Sequence, residues 1–144
     1  MKVPEAPEFS EVVHVCTRAS LLESPLHGKK HWFKVYANCR ILKPGDEFRK
    51  FFFAFAMLHD CRREMEFQDE AHGYLASLTV PEYPVLRDAI QYHSLGATTD
   101  DPLMGVCWDA DRLELPRVGT RVRTKFLSTD AGVKLAKERG GYYD

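Results

Sequence analysis

The sequence predicts an all-α fold, a compact helical bundle of about six or seven helices. Three observations lead there. Apolar residues recur at three- and four-residue steps along most of the chain. Serine, proline and glycine punctuate those stretches where helices start and stop. No strand-like alternation persists beyond four residues. The 144 residues suit one core, so a single domain is expected over residues 9–144, preceded by a flexible arm over 1–8. With 44% hydrophobic and 28% charged residues the chain reads as globular rather than disordered.

The arm carries Pro4 and Pro7 among small and charged residues. A first helix is expected over 9–22, with Ser10 as its cap and Val12, Val13, Cys16, Ala19 and Leu22 at helical spacing. His14 lies near that stripe and reads as a partly buried structural histidine. Ser24-Pro25 should open a second helix, which puts His31, Val35, Asn38 and Leu42 on one face and His27 one turn earlier. Pro44-Gly45 ends it. The third helix starts at Gly45 or Asp46 and is the most apolar stretch of the chain, Phe51 to Leu58. It is expected to be central and buried on most sides, and it delivers His59 and Asp60 to one end of the core.

A short helix follows over 69–78 with His72 near its start. Thr79 to Glu82 has capping-box spacing ahead of a helix over 82–94, which ends at His93-Ser94. Residues 103–115 return to helical spacing, with Asp111 on the apolar side. The segment from Arg117 to Lys125 is a basic loop that reads as solvated, with closure over a negative substrate as its second reading, and Ser128 should cap a last helix over 129–138 ended by Gly140-Gly141.

Charge and composition exclude several roles. A net charge of -1 carries no general attraction for nucleic acid or anionic membranes. No apolar run approaches the roughly 20 residues needed to span a bilayer, and the N-terminal stretch lacks an apolar signal core. The expected location is therefore cytoplasmic. Cys16, Cys39, Cys61 and Cys107 form no C-x-x-C pair, so a zinc knuckle is not indicated, and they read as reduced packing residues. Cys61 alone follows the polar doublet and has a nucleophilic role as its second reading.

Six residues stand out: His31, His59, Asp60, His72, His93 and Asp111. Each is an imidazole or carboxylate at a helix end or on an apolar face, where a charge is costly unless paired or bound to metal. That donor mixture suits divalent zinc, manganese, iron, cobalt or nickel. Four such ligands would hold one ion. Six would suffice for two ions about 3.5–4 Å apart.

The ordered set resembles the HD superfamily of metal-dependent phosphohydrolases over roughly residues 24–130. The stretch from His27 to Val35 is similar to that family's H-D-x-x-H-x-x-R-V, Leu58-His59-Asp60 to its His-Asp doublet, and Asp109 to Leu113 to its D-A-D-R-L. The sequence also looks like a branch of small HD proteins with H-G-x-x-H-W, H-D-x-R-R-E and C-W-D-A-D-R-L. The resemblance implies that His31, His59, Asp60 and Asp111 hold a divalent metal, with His72 and His93 in order to hold a second. It implies hydrolysis of a phosphate ester, a nucleotide or related metabolite, by metal-activated water, with His59 and Asp60 at the chemistry. Arg62, Arg63, Lys34 and His27 are the expected substrate contacts. Arg62 and Arg63 have ion pairs with Glu64, Glu66 or Asp69 as their other reading. Gly28, Lys34 and Cys61-Arg62 depart from the family's usual residues. Two other functions stay open: a di-iron oxygenase of HD type, and a non-catalytic HD-like domain that binds a ligand or partner.

Overall fold

A computed structural model describes residues 2–144. Seven α-helices run in order: α1 Phe9–Cys16, α2 Lys29–Leu42, α3 Arg49–Leu58, α4 His72–Ser77, α5 Pro84–Gln91, α6 Pro102–Arg112 and α7 Asp130–Arg139. Two short strands, β1 Val122–Arg123 and β2 Tyr142–Tyr143, pair in parallel. The class is all-α, as the spacing indicates. No helix among the described residues is long and apolar enough to cross a membrane.

α3 is the hub. It packs against α1, α2, α5 and α6, and Phe51, Phe52, Phe55 and Leu58 are fully buried. A helix apolar on nearly every side has to be enclosed by its neighbours. Each such side chain contributes about 1.5–3 kcal/mol on burial. Around it sit Trp32, Val35 and Cys39 from α2, Leu86, Ala89 and Ile90 from α5, and Val106, Cys107 and Ala110 from α6. Both tryptophans are core residues whose indole N–H is satisfied: Trp32 donates to the His27 carbonyl and Trp108 to the Ala89 carbonyl, each at 2.9 Å. Asn38 ties α2 to α6 by donating to the Ala110 carbonyl at 2.9 Å.

Several boundaries differ from those expected, for local reasons. Ser10 lies inside α1, whose cap is Glu8. α1 ends at Cys16, and three-residue turns through Arg18, Ala19 and Leu22 carry the apolar spacing onward. His14 is exposed rather than partly buried. Ser24 caps a turn, accepting from the Leu26 and His27 amides at 3.2 Å, and α2 begins only at Lys29. Gly28 is obligatory in that turn, because a Cβ there would meet three carbonyl oxygens at 2.4–2.5 Å. Thr79 forms no capping box; its hydroxyl donates back to the Ala76 carbonyl and closes α4. Ser128 is not the cap of α7, since Thr129 accepts from the Gly132 amide. The segment expected to be a loose arm has no helix or strand before Phe9, yet Ala6 and Pro7 are buried.

Asp109 explains how the C-terminal segment is held. It is fully buried and accepts from the Ser128 amide at 2.6 Å, the Thr129 amide at 2.9 Å and the Thr129 hydroxyl at 2.7 Å. α7 approaches so closely that a Cβ on Gly132 would fall 2.3 Å from an Asp109 oxygen. Of the two acids in the Asp109-Ala110-Asp111 run, the first is structural.

Candidate metal centre

The helices bring six side chains to one place. His31 lies in the first turn of α2, His59 caps the C-terminus of α3 and Asp60 follows in the next turn. His72 opens α4, His93 stands just past α5, and Asp111 sits at the end of α6. Three of these helices, α3, α5 and α6, present their C-terminal ends. The partial negative charge there favours a cation.

Four donor atoms form one group. His31 Nε2 lies 3.1 Å from His59 Nε2, 3.0 Å from Asp111 Oδ1 and 3.6 Å from Asp60 Oδ2. His59 Nε2 lies 3.4 Å from Asp60 Oδ2 and 3.3 Å from Asp111 Oδ1. The other oxygen of Asp60 faces a different pair. Its Oδ1 is 3.3 Å from His72 Nε2 and 3.5 Å from His93 Nε2, and those two nitrogens are 3.1 Å apart.

The tautomers follow from the backbone. His59 Nδ1 meets the Ala56 carbonyl at 2.8 Å and His93 Nδ1 the Ile90 carbonyl at 2.6 Å. His72 Nδ1 meets the Asp69 carbonyl. A carbonyl only accepts, so each Nδ1 carries a proton and each Nε2 faces the cluster, where the neutral form of the ring would present a lone pair. Two such nitrogens 3.1 Å apart repel unless a proton or a metal ion lies between them. Ligands about 2.1 Å from an ion stand about 3.0 Å apart along an octahedral edge and about 3.4 Å along a tetrahedral one. The observed 3.0–3.6 Å separations match that range. The buried groups His31-His59-Asp60, His59-His93-Asp111 and Asp60-His72-His93 could each hold a metal ion.

Electrostatics point the same way. Burial pushes the Asp60 carboxyl up, but His59, and then His27, His72 and His93, outweigh it and hold the group well below the usual carboxylate range. Asp111 behaves alike: burial is outweighed by His59 and His31. Both acids are ionised and ready to bind a cation. Burial pushes His31 down, while Asp111 and Glu114 pull it further up, so its imidazolium is favoured over the ordinary case. Cys61 is buried and its thiol is pushed up to about 12 by burial, which disfavours the thiolate its second reading requires.

A cavity of about 300 Å³ opens onto the cluster. Of the four expected substrate contacts, His27 and Arg63 line it. His27 lies 3.8 Å from Asp60 Oδ2, and neither of its ring nitrogens has a partner. Arg63 Nη2 approaches His72 Nε2 at 3.4 Å and its Nε lies 3.9 Å from Asp60 Oδ1. Lys34 and Arg62 do not line the cavity. Lys34 is exposed beside the buried His31-Val35-Asn38 face. Arg62 borders a separate hollow with Val15 and Leu75, because the turn closed by the Arg63 amide on the Asp60 carbonyl sends neighbouring side chains apart.

Four residues that the spacing did not single out also belong here. Glu114 Oε1 lies 3.9 Å from His31 Nδ1, and Glu66 Oε2 lies 4.0 Å from His27 Nε2. Arg112 and Arg117 line the cavity. The position of Glu114, three residues after Asp111 at a helix end, was the available sign; Glu66 carried none. Comparison of the chain with family models, curated proteins and solved structures found no match.

Proposed function

We propose that the chain is a metal-dependent phosphohydrolase of the HD type, acting on a small phosphate ester at a centre for two divalent ions. The observation that carries this reading is the division of Asp60, whose two oxygens face two separate groups of ready Nε2 donors beside an arginine-lined cavity. His31, His59, Asp60 and Asp111 would hold one ion, and Asp60, His72 and His93 the other. When bound, divalent ions at such a centre neutralise phosphate oxygens and supply a more acidic water. Manganese, iron, cobalt, nickel and zinc all suit the donor set.

The chain's own residues do the rest. Backbone carbonyls orient three of the four imidazoles and hold a proton on Nδ1, which leaves Nε2 as the ligating atom of the neutral ring. Arg63 has a buried Nε without a partner and a planar fork suited to phosphate oxygens. His27, 3.8 Å from Asp60 Oδ2, offers a donor to the same substrate. Four buried, unpaired cysteines fit a reducing compartment such as the cytoplasm.

The test is a screen of phosphate esters against protein supplemented with each metal, with His59→Ala and Asp60→Ala as controls. Turnover that both substitutions abolish supports the reading. Activity that survives in both removes the chemistry from this centre. Two irons per chain with oxygen consumption and no ester cleavage would make it an oxygenase instead.

A further inference from the structure

The cavity has a second cationic wall that metal binding leaves unused. Arg112 follows Asp111 and is 8% exposed. Its Nη1 donates to the Phe126 carbonyl at 2.6 Å, and its plane lies 5.5 Å over the Trp108 ring. Its Nη2 is buried with no partner. Arg117 is fastened by two carbonyls: Nε donates to Leu26 at 2.6 Å and Nη1 to Glu114 at 2.9 Å. Among the described residues neither guanidinium has a carboxylate within ion-pair distance. The nearest acids along α6 are engaged elsewhere, Asp109 by the start of α7 and Asp111 by His31 and His59.

Neutral carbonyls therefore hold two permanent charges in place without neutralising them, at the wall of a cavity, with one buried N–H unanswered. A desolvated guanidinium is stable when an anion completes it, and its planar fork matches a carboxylate or phosphate. Arg63 is distinct, since it belongs to the segment carrying Asp60 and His72.

We propose that Arg112 and Arg117 form a second anion subsite, so that the cavity takes a compact molecule with two anionic ends. One end is the phosphate that the proposed hydrolase reading places at the metal centre. The other is a carboxylate or second phosphate at these guanidiniums. A cavity of about 300 Å³ stands at the lower bound of small-molecule sites. Leu115 and Val118 line it as well, which suits a short carbon chain between the two ends.

Three non-hydrolysable probes of equal chain length test this on the metal-loaded protein by calorimetry: propylphosphonate, 3-phosphonopropionate and propane-1,3-diphosphonate. The two-anion probes are expected to bind about tenfold or more tightly than propylphosphonate, the gain of a charged hydrogen bond. Whichever of the two binds tighter identifies the second anion. Arg117→Gln and Arg112→Gln are expected to collapse that ratio, and Arg117→Lys to restore part of it. Equal affinity of the wild-type protein for all three probes overturns the inference, and that result stands even where a variant fails to fold. So do variants that fold, keep their metal and weaken all three probes equally. If no phosphonate binds the metal-loaded protein, the phosphate reading itself fails.

Discussion

The Nε2 atoms of His72 and His93 lie 3.1 Å apart, and each ring gives its Nδ1–H to a backbone carbonyl three residues earlier. Two nitrogens held face to face by the fold repel unless a proton or a metal ion lies between them. Protein loaded with manganese or cobalt should therefore carry two ions per chain by elemental analysis. His72→Ala should carry one, because His31, His59, Asp60 and Asp111 are untouched. Asp60→Ala should lose both, since its two oxygens serve both groups. One ion in the wild-type protein, or equal loss in both variants, would remove the bridging role of Asp60.

Arg63 sets two requirements against each other. Its guanidinium stands 3.4 Å from His72 Nε2 and 3.9 Å from Asp60 Oδ1, where it would repel a second divalent ion and attract a phosphate. Arg63→Ala should tighten the second ion by about tenfold, on the order of one kcal/mol of relieved repulsion near a protein surface. The same variant should weaken inorganic phosphate on the metal-loaded protein by a similar factor. Metal titration and phosphate titration read the two effects separately. A loss of both affinities would mean that Arg63 only supports the loop.

Asp109 and Asp111 are two residues apart and should fail in opposite ways. Asp109→Ala strips the Ser128 and Thr129 amides of their acceptor, and each unsatisfied buried donor costs about 1–3 kcal/mol. A loss of about 3 kcal/mol in urea unfolding is expected, with metal still bound to the folded fraction. Gly132→Ala should resemble it, because the new Cβ would meet Asp109 oxygen at 2.3 Å. Asp111→Ala should instead release metal from the folded chain, since its oxygen faces His31 and His59.

What was legible in the sequence was whatever repeats or concentrates. The apolar run of α3 announced a buried hub, and the imidazoles and acids at helix ends announced the cluster. Helix ends were less legible, because Ser24 and Thr79 bond equally well to turns as to helix starts. β1 and β2 hold two residues each, too few to show alternation. Arg112 and Arg117 looked like ordinary charges, since the carbonyls of Phe126 and Leu26 that hold them come from 14 and 91 residues away. Lys34 and Arg62 lie off the cavity for a related reason. Closeness in sequence to a ligand fixes the helix turn a side chain leaves from, but not the direction it takes.

The pH response should differ in sign between the metal-free and the metal-loaded protein. In the metal-free chain the His31 imidazolium is favoured, after burial is offset, by Asp111 and Glu114. A group whose folded pKa is raised adds stability that is fully present below its unfolded value of about 6.5 and is lost as pH rises through the folded value. Metal requires the neutral ring, so a proton on His31 competes with the ion, and that competition fades as pH rises through the folded value. Melting of the metal-free protein should therefore fall between about pH 6 and pH 8, while the stabilisation gained on adding metal grows over the same interval. His31→Gln should flatten the first trend by removing the titrating ring. Thermal melts at several pH values, with and without a chelator, decide it. A metal-induced gain that shrinks toward pH 8 would show that His31 is not a ligand.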